Sequence, residues 1–429
     1  FSRSARTHLQ GDPMSKKARD NRPYLKPVTR LELSQTNIKL RWIAIALFLA
    51  IAVVSIGYGL SLALRTEAGW QQVTPLSEEA NCGSDFVLMY DFSVGGSNPT
   101  AAHKKLEALY GDLTVSAYRL FSPEAVGTDN LYHLNGHANE TVTVDPALYQ
   151  ALEQVVSFGN RFCFMAPVQE LYDPVFLSAN DAEAALYDPR KDPDRARMAR
   201  EMAAYCADPE IVFLEVLGEN QVRLNVAQEY LTFAEEYGIE VFLDLGWMKN
   251  AFIADYMAQA LEAAGFDAGD LASFDGFTRN LYGRGMGFSQ NIYHCVGSDV
   301  YLPAALEYFG SMSLVSLRSY PLSEQDRWNY YAYEDGSVTS VYLDPADGAC
   351  KASIDGITAY SRDLSCGEMV LKLSSVFVAD AFDAEALEIL AREGIESIRC
   401  QEKGIVCTDV VQPVKILDPS YDLVYSNAA

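Results

Sequence analysis

In this 429-residue chain, the residues best placed to do chemistry lie at residues 239–265, where IEVFLDLG runs through WMKN into AFIADYMAQALEAAG. An apolar strand, a glycine turn and a helix make a ligand-binding layout, because the first amide N–H groups of a helix lack partners within it and favour negative charge. Asp244, Gly246, Trp247, Lys249 and Asn250 fall on this junction. Asp344 in VYLDPADG and Asp380 in VADAFDAEAL are isolated carboxylates, and an aspartate so placed also serves as a turn opener or helix N-cap. His294, in IYHC, has no second His or Cys at metal-binding spacing and reads as a packed strand residue, while His103, His133 and His137 read as surface residues. Eight cysteines without a CxxC pair argue against a zinc or thioredoxin-like site.

The elements that must position these groups alternate between helix and strand. DFVLMYDFSV alternates as a strand, and AAHKKLEALYGDLTVSAY continues as a helix. Asp145-Pro146 opens a second helix, DPDRARMAREMAAYCA forms a third, and IVFLEVLGENQVRLNV reads as two strands around a Gly-Glu-Asn turn. LTFAEEYG ends in a glycine stop. Beyond Gly265 the chain becomes strand-rich: NIYHCVG, SLVSLRSY, RWNYYAYEDGSVTSVYLDP, KASIDGITAY and EMVLKLSSVFVAD are expected as strands, followed by the helix AFDAEALEILAREG. Cys400 and Cys407 flank the turn of a hairpin, and Cys350 and Cys366 border another strand pair. The scattered cysteines are compatible with an oxidising compartment and are expected to staple a fold that already has its own core. These elements predict an α+β fold of two packed lobes.

Residues 42–64, WIAIALFLAIAVVSIGYGLSLAL, carry no charge and are long enough to cross a bilayer. A cleaved signal peptide is the competing reading, but the apolar run is too long and no small-x-small site follows closely. Residues 1–41 hold ten Lys/Arg against three Asp/Glu, net +7, leaving 23 against 55, net −32, for the remainder. The excess of positive charge before the span predicts a cytoplasmic N-terminus, a single-pass anchor and an extracytoplasmic main domain at the cell membrane. An acidic domain argues against nucleic acid or anionic lipid as a partner. Residues 1–13, before Met14, read as an upstream remnant, and 14–38 as disordered. The expected division is a tail at 1–41, the span at 42–64, a linker at 65–84, the main domain at 85–409 and a tail at 410–429.

Several of these patterns, in order, resemble the FAD:protein FMN transferase (ApbE, thiamine-biosynthesis-lipoprotein) family over roughly residues 85–409. Among them are VSAYRLFSPEA, LYHLN, VTVDPALYQALEQ and NRFCFMAPVQELYD. The most specific is LDLGWMKNAFIAD, residues 243–255, which is similar to a family pattern of Leu-Asp-Leu-Gly-Gly-Ile-Ala-Lys-Gly-Tyr-Ala-x-Asp. Asp244, Gly246 and Asp255 are kept; Trp247 stands at the second Gly, Asn250 at the Lys with Lys249 just before it, and Ala251 at the next Gly. Asp275-Gly276-Phe277 stands at the family's Gly-Gly-Asp turn. VYLDPADG resembles His-x-x-Asp-Pro-x-Thr-Gly, with Val341 at the His and Asp347 at the Thr. VADAFDAEAL resembles the Ala-Asp-Ala-x-x-Thr helix start, with Asp380 kept and Ala384 at the Thr.

The resemblance implies an ApbE-like fold and an enzyme that splits FAD with bound Mg²⁺ and joins FMN to a Thr or Ser hydroxyl of an extracytoplasmic flavoprotein. It implies catalytic roles for Lys249 and Asp344, cofactor contacts at Asp244, Gly246, Trp247, Asn250 and Gly276, and a metal ligand in Asp380. The pyrophosphate charge calls for free backbone N–H groups, a lysine and a hard cation on oxygen ligands. The replacements at Trp247, Asn250, Val341 and Ala384 leave a second expectation open: a degenerate relative that binds flavin, a nucleotide or a protein partner without turnover. NYYAYEDG reads as a sheet face, with stacking on a flavin ring as the alternative.

Overall fold

The structure is a computed structural model describing residues 46–56, 68–75, 81–94, 98–281 and 287–426. The chain forms two compact units, Phe1–Leu64 and Arg65–Ala429. In the first unit, residues 46–56 are helical and apolar side chains such as Phe48 and Val54 are exposed. The rest of the expected span, 42–45 and 57–64, and the tail 1–41 lie outside the described residues. Among the described residues no helix is long and apolar enough to cross a membrane.

In the second unit a nine-stranded sheet runs, in spatial order, Trp70–Val73, Phe86–Asp91, Gly269–Ser273, Phe277–Asn280, Met312–Arg318, Gly356–Ser361, Glu396–Gln401, Gly404–Cys407 and Asp422–Tyr425. Neighbours pair antiparallel except the last two, which are parallel. Met312–Arg318 is buried throughout because each face of the sheet carries a core. Side chains alternate across a strand, so Met312 and Leu314 enter one cluster while Val315 and Leu317 enter the other. The smaller core is covered by a three-stranded sheet of Val414–Ile416, Asp299–Phe309 and Gly287–Val296, which contributes Ile292, Ala304 and Leu306. The larger core takes the helices, chiefly Pro99–Phe121, Lys249–Ala263 and Cys366–Phe377. The mixed α+β expectation therefore holds, with the central strand as the wall between two cores.

Four local expectations are corrected. EMVLKLSSVFVAD, expected as a strand, lies mostly in the helix Cys366–Phe377: Ser365 and Glu368 form a reciprocal capping box, a device worth about 1 kcal/mol that outweighs the β-branched content. The stretch before Gly246, also expected as a strand, pairs with no strand. The N–H groups of Phe242 and Leu243 both donate to Asn135 Oδ1 (2.9 Å each), and that of Asp244 donates to the Cys163 carbonyl (2.9 Å). The linker 65–84 contains the strand Trp70–Val73, and the C-terminal tail 410–429 contributes the strands Val414–Ile416 and Asp422–Tyr425. All eight cysteines are free. The hairpin at Cys400 and Cys407 forms as expected, but Cys400 faces Ile405 and Cys407 faces Ile398, so the two thiols sit diagonally and not opposite one another.

Candidate functional site

A cavity of about 600 Å³ opens where the extended segment ending at Gly246 turns into the helix Lys249–Ala263. Gly246 adopts φ +55°, a left-handed conformation suited to glycine, and a one-turn 3-10 segment, Gly246–Met248, leads into the helix. No side chain caps the fifteen-residue helix; instead the N–H groups of Met248 and Lys249 turn back onto the Leu245 and Gly246 carbonyls of the 3-10 turn. The cavity is lined from this junction by Asp244, Gly246, Trp247, Lys249 and Asn250, five of the eight residues singled out from the sequence. Trp247 is held edge-on between Phe162 (6.0 Å) and Tyr342 (5.0 Å), so its indole forms a fixed wall.

A further part of the wall comes from the turn Phe274–Asp275 and from Ser84 and Asp85, just before the strand Phe86–Asp91. Asn250 Nδ2 donates to Asp275 Oδ2 at 2.9 Å. The remaining oxygens, Asn250 Oδ1 and Asp275 Oδ1, are buried without a partner, as is Asp244 Oδ1. Three acceptor oxygens beside the cavity are thus buried without a hydrogen-bond partner, an unfavourable state that a shift of these side chains toward a donor would relieve. Burial pushes the Asp275 carboxyl up to about 6, against the hydrogen bonds from Ser273 and Asn250. Burial also raises Asp85, with the Lys249 charge opposing it. Gly276 does not line the cavity; it sets the turn beneath it. At φ +110° its absent Cβ would lie 2.2 Å from the Ser316 carbonyl oxygen.

The rim is a 3-10 turn, Glu324–Trp328, where RWN was expected to open a strand; the strand starts only at Tyr330. Asp326 accepts from the N–H groups of Leu322 (2.6 Å) and Ser323 (3.1 Å) and lies 3.7 Å from the Arg318 guanidinium. This presents Arg327, Trp328 and Asn329 to the cavity, with the Arg327 guanidinium 4.6 Å from the Trp328 ring centroid. Gln169, on the helix Ala166–Leu177, and Val341 complete the lining. The signal for the rim was present in DRWN, an acid followed by a cation, an indole and an amide, but nothing in its spacing ties it to the Gly246 turn and its helix about 80 residues earlier.

Asp255 fixes the helix from behind. Its buried carboxylate takes the Arg279 guanidinium at 2.6 Å and the Cys366 and Gly367 N–H groups at 3.1 and 2.7 Å. Burial still leaves its pKa raised. It therefore links the cavity helix both to the sheet and to the start of the helix Cys366–Phe377.

Two expected site residues lie elsewhere. Asp344, assigned a catalytic role, and Asp380, assigned to the metal, are absent from the cavity lining and instead meet at Lys351, whose Nζ lies 2.9 Å from Asp344 and 2.8 Å from Asp380. Asp380 does not open a helix either; the helix Ala384–Arg392 is capped by Asp383. Among the described residues no three His, Cys, Asp or Glu form a group that could hold a metal ion. The residues present thus do not fit a Mg²⁺ ion on Asp380. His294 is the packed strand histidine expected, bonded through Nδ1 to the Tyr421 hydroxyl at 2.9 Å. His103, His133 and His137 are half-buried, not surface residues.

No sequence-family profile matches the chain, and no curated protein matches it. Solved structures do. The ApbE protein of Thermotoga maritima is 14% identical, with 81% of this chain and 96% of that one covered at a TM-score of 0.50. The flavin transferase ApbE of Vibrio cholerae is 11% identical, with 82% and 97% covered at a TM-score of 0.52. Identities this low speak to architecture: over about four fifths of its length, this chain has the fold of the ApbE flavin transferases.

Proposed function

We propose that this chain is a membrane-anchored, extracytoplasmic flavin-nucleotide-binding protein of the FMN-transferase type, and that its cavity takes FAD through the pyrophosphate. The observation that carries this reading is the junction at Gly246–Asn250: a long helix with no side-chain cap begins on the cavity, with Lys249 beside it. Amide N–H groups and an ammonium are the parts an anionic phosphate pair needs. Trp247, Phe274 and Trp328 offer faces and edges for a planar ring, and the polar side chains of Asp244, Asn250 and Asn329 in the lining suit the hydroxyls of a ribityl or ribose chain.

FMN transfer itself requires a Thr or Ser hydroxyl of a target flavoprotein to attack the FMN phosphorus, the pyrophosphate P–O bond to break with AMP leaving, and a base to accept the hydroxyl proton. A specific observation favours binding without turnover as the second reading: Asp344 and Asp380 are both engaged by Lys351, and Val341 stands in the cavity lining where the resemblance has a histidine. The anchor rests on the apolar, uncharged run of 42–64 and the charge step across it, and the helical residues 46–56 are in keeping with it. The deciding experiment titrates FAD calorimetrically into the full chain in detergent, with and without Mg²⁺, then assays the mixture for AMP with a Thr-containing acceptor. Binding with AMP release establishes a transferase; binding without AMP establishes a flavin carrier or sensor; no binding refutes the flavin assignment.

A further inference from the structure

The residues that the resemblance gives to catalysis and to the metal come together in this chain, but around an ammonium. Lys351 Nζ lies 2.9 Å from Asp344 Oδ2, 2.9 Å from Asp347 Oδ2 and 2.8 Å from Asp380 Oδ1. The cluster is built and not incidental. Asp344 Oδ1 accepts from the Ala346 N–H (2.9 Å) and Asp347 Oδ1 from the Ala349 N–H (3.0 Å), so each carboxylate uses one oxygen to brace the turn and aims the other at Nζ. The turn is closed by the Gly348 N–H on the Asp344 carbonyl (2.7 Å), and by the Lys351 N–H on the Tyr342 carbonyl (2.9 Å). Gly348 permits it at φ +69°, packed so closely that a Cβ there would lie 2.6 Å from the Ala199 carbonyl oxygen. The Tyr172 hydroxyl adds a bond to the Gly348 carbonyl at 3.1 Å. Lys351 is largely buried, whereas the Asp380 side chain is 83% exposed and reaches the cluster from the loop before the last helix.

We propose that Lys351 is a resident cation: it supplies from within the chain the positive charge that a divalent metal would bring to the Asp344, Asp347 and Asp380 carboxylates, and so takes the place of a metal ion among them. An ammonium with three N–H donors satisfies the three carboxylates at hydrogen-bond length, and arranged around Lys351 they do not form a group open to a metal ion. One positive charge against three negative leaves the cluster net acidic, which keeps Lys351 protonated: against the cost of burial, its hydrogen bonds to Asp380, Asp344 and Asp347 hold its pKa above the ordinary lysine range. The substitution differs in kind from loss of a site. The carboxylates are retained and oriented, and only the cation has changed from exchangeable to covalent. The inference concerns Lys351 and its three partners and holds whatever the cavity binds.

The test is metal binding followed on the full chain in detergent by terbium luminescence and by calcium calorimetry, for the wild type, Asp380→Asn, Lys351→Met and the double variant Lys351→Met/Asp380→Asn. The wild type and Asp380→Asn are expected to behave alike, with no metal site that depends on Asp380. Lys351→Met keeps the apolar stem but frees the three carboxylates. It is expected to bind Ca²⁺ or Tb³⁺ roughly tenfold or more tightly than the wild type, to lose that gain in the double variant, and to recover thermal stability when Ca²⁺ is added. A wild-type metal site abolished by Asp380→Asn overturns the proposal, and this arm needs no change at Lys351. So does a folded Lys351→Met protein that melts early and is indifferent to Ca²⁺, because Lys351 would then be an ordinary ion-pair partner.

Discussion

Asn250 donates to Asp275 across the candidate cavity at 2.9 Å and leaves one oxygen on each side chain buried and unpaired. The pair joins the first turn of the cavity helix to the turn before the strand Phe277–Asn280, and it holds a carboxyl whose protonation matters near neutral pH.

With burial raising Asp275 to about 6 from an unfolded value near 3.8, the folded chain holds more protons than the unfolded chain between those values. Stability therefore falls as pH rises from about 4 to about 6 and is flat above. Asp275→Asn should remove that loss and raise stability at pH 7 by roughly 1–3 kcal/mol. Denaturant unfolding at pH 4 and 7 checks it: the two proteins should differ at 7 and converge at 4.

The same carboxylate should oppose an anionic ligand once ionised. FAD affinity is expected to weaken as pH rises through about 6 in the wild type and to flatten in Asp275→Asn. Asp85 and Lys249 line the same cavity in both proteins, so the difference between the two profiles reads the effect of removing the Asp275 carboxyl.

Lys249→Ala removes the ammonium at the helix start while leaving the fold's buried contacts alone. A lost charge-assisted contact to phosphate is worth about 1.5–3 kcal/mol, or roughly ten- to hundredfold in Kd. Calorimetry with FAD reads this, and an unchanged Kd would place the phosphates elsewhere.

Asp255→Ala should be the costliest change near the site, because it strands the Arg279 guanidinium and two helix-terminal N–H groups in the interior. Breaking one partner of such a buried pair costs about 3–5 kcal/mol. The melting temperature should fall accordingly, and more than for Lys249→Ala.

Gly276→Ala would need a Cβ 2.2 Å from the Ser316 carbonyl and a positive φ in a non-glycine residue. A destabilisation of about 1–3 kcal/mol follows, with weakened ligand binding because the Asp275 turn must shift.

The sequence disclosed the cavity floor because the groups that form it are consecutive. Asp244 through Asn250 are local, and a glycine turn before a periodic apolar helix has a readable signature. It did not disclose the rim at Arg327 and Trp328, which reaches the floor only through tertiary packing. Nor did it disclose Lys351, whose partners lie seven and four residues before it and a further one 29 residues after it. The helix at Cys366–Phe377 was misread because its Val, Leu and Ser content suits a strand, although the Ser365–Glu368 spacing carried the opposite signal. The segment before Gly246 looked like a strand for the same compositional reason. What decided its state was where its amide groups found partners, and Asn135 stands 107 residues from the first of them.

The two outermost strands of the nine-stranded sheet, Trp70–Val73 and Asp422–Tyr425, come from the two ends of the folded unit. Eight inter-strand steps of about 4.8 Å separate them by roughly 38 Å across the sheet. A circular permutation would need a linker long enough to travel that width, and a short one would tear an outer strand away. Trimming either end would bare Phe86–Asp91 or Gly404–Cys407 as a fresh edge with unsatisfied amides, a template for aggregation between copies. Expression boundaries drawn inside residue 70 or before residue 425 should yield insoluble protein for this reason alone.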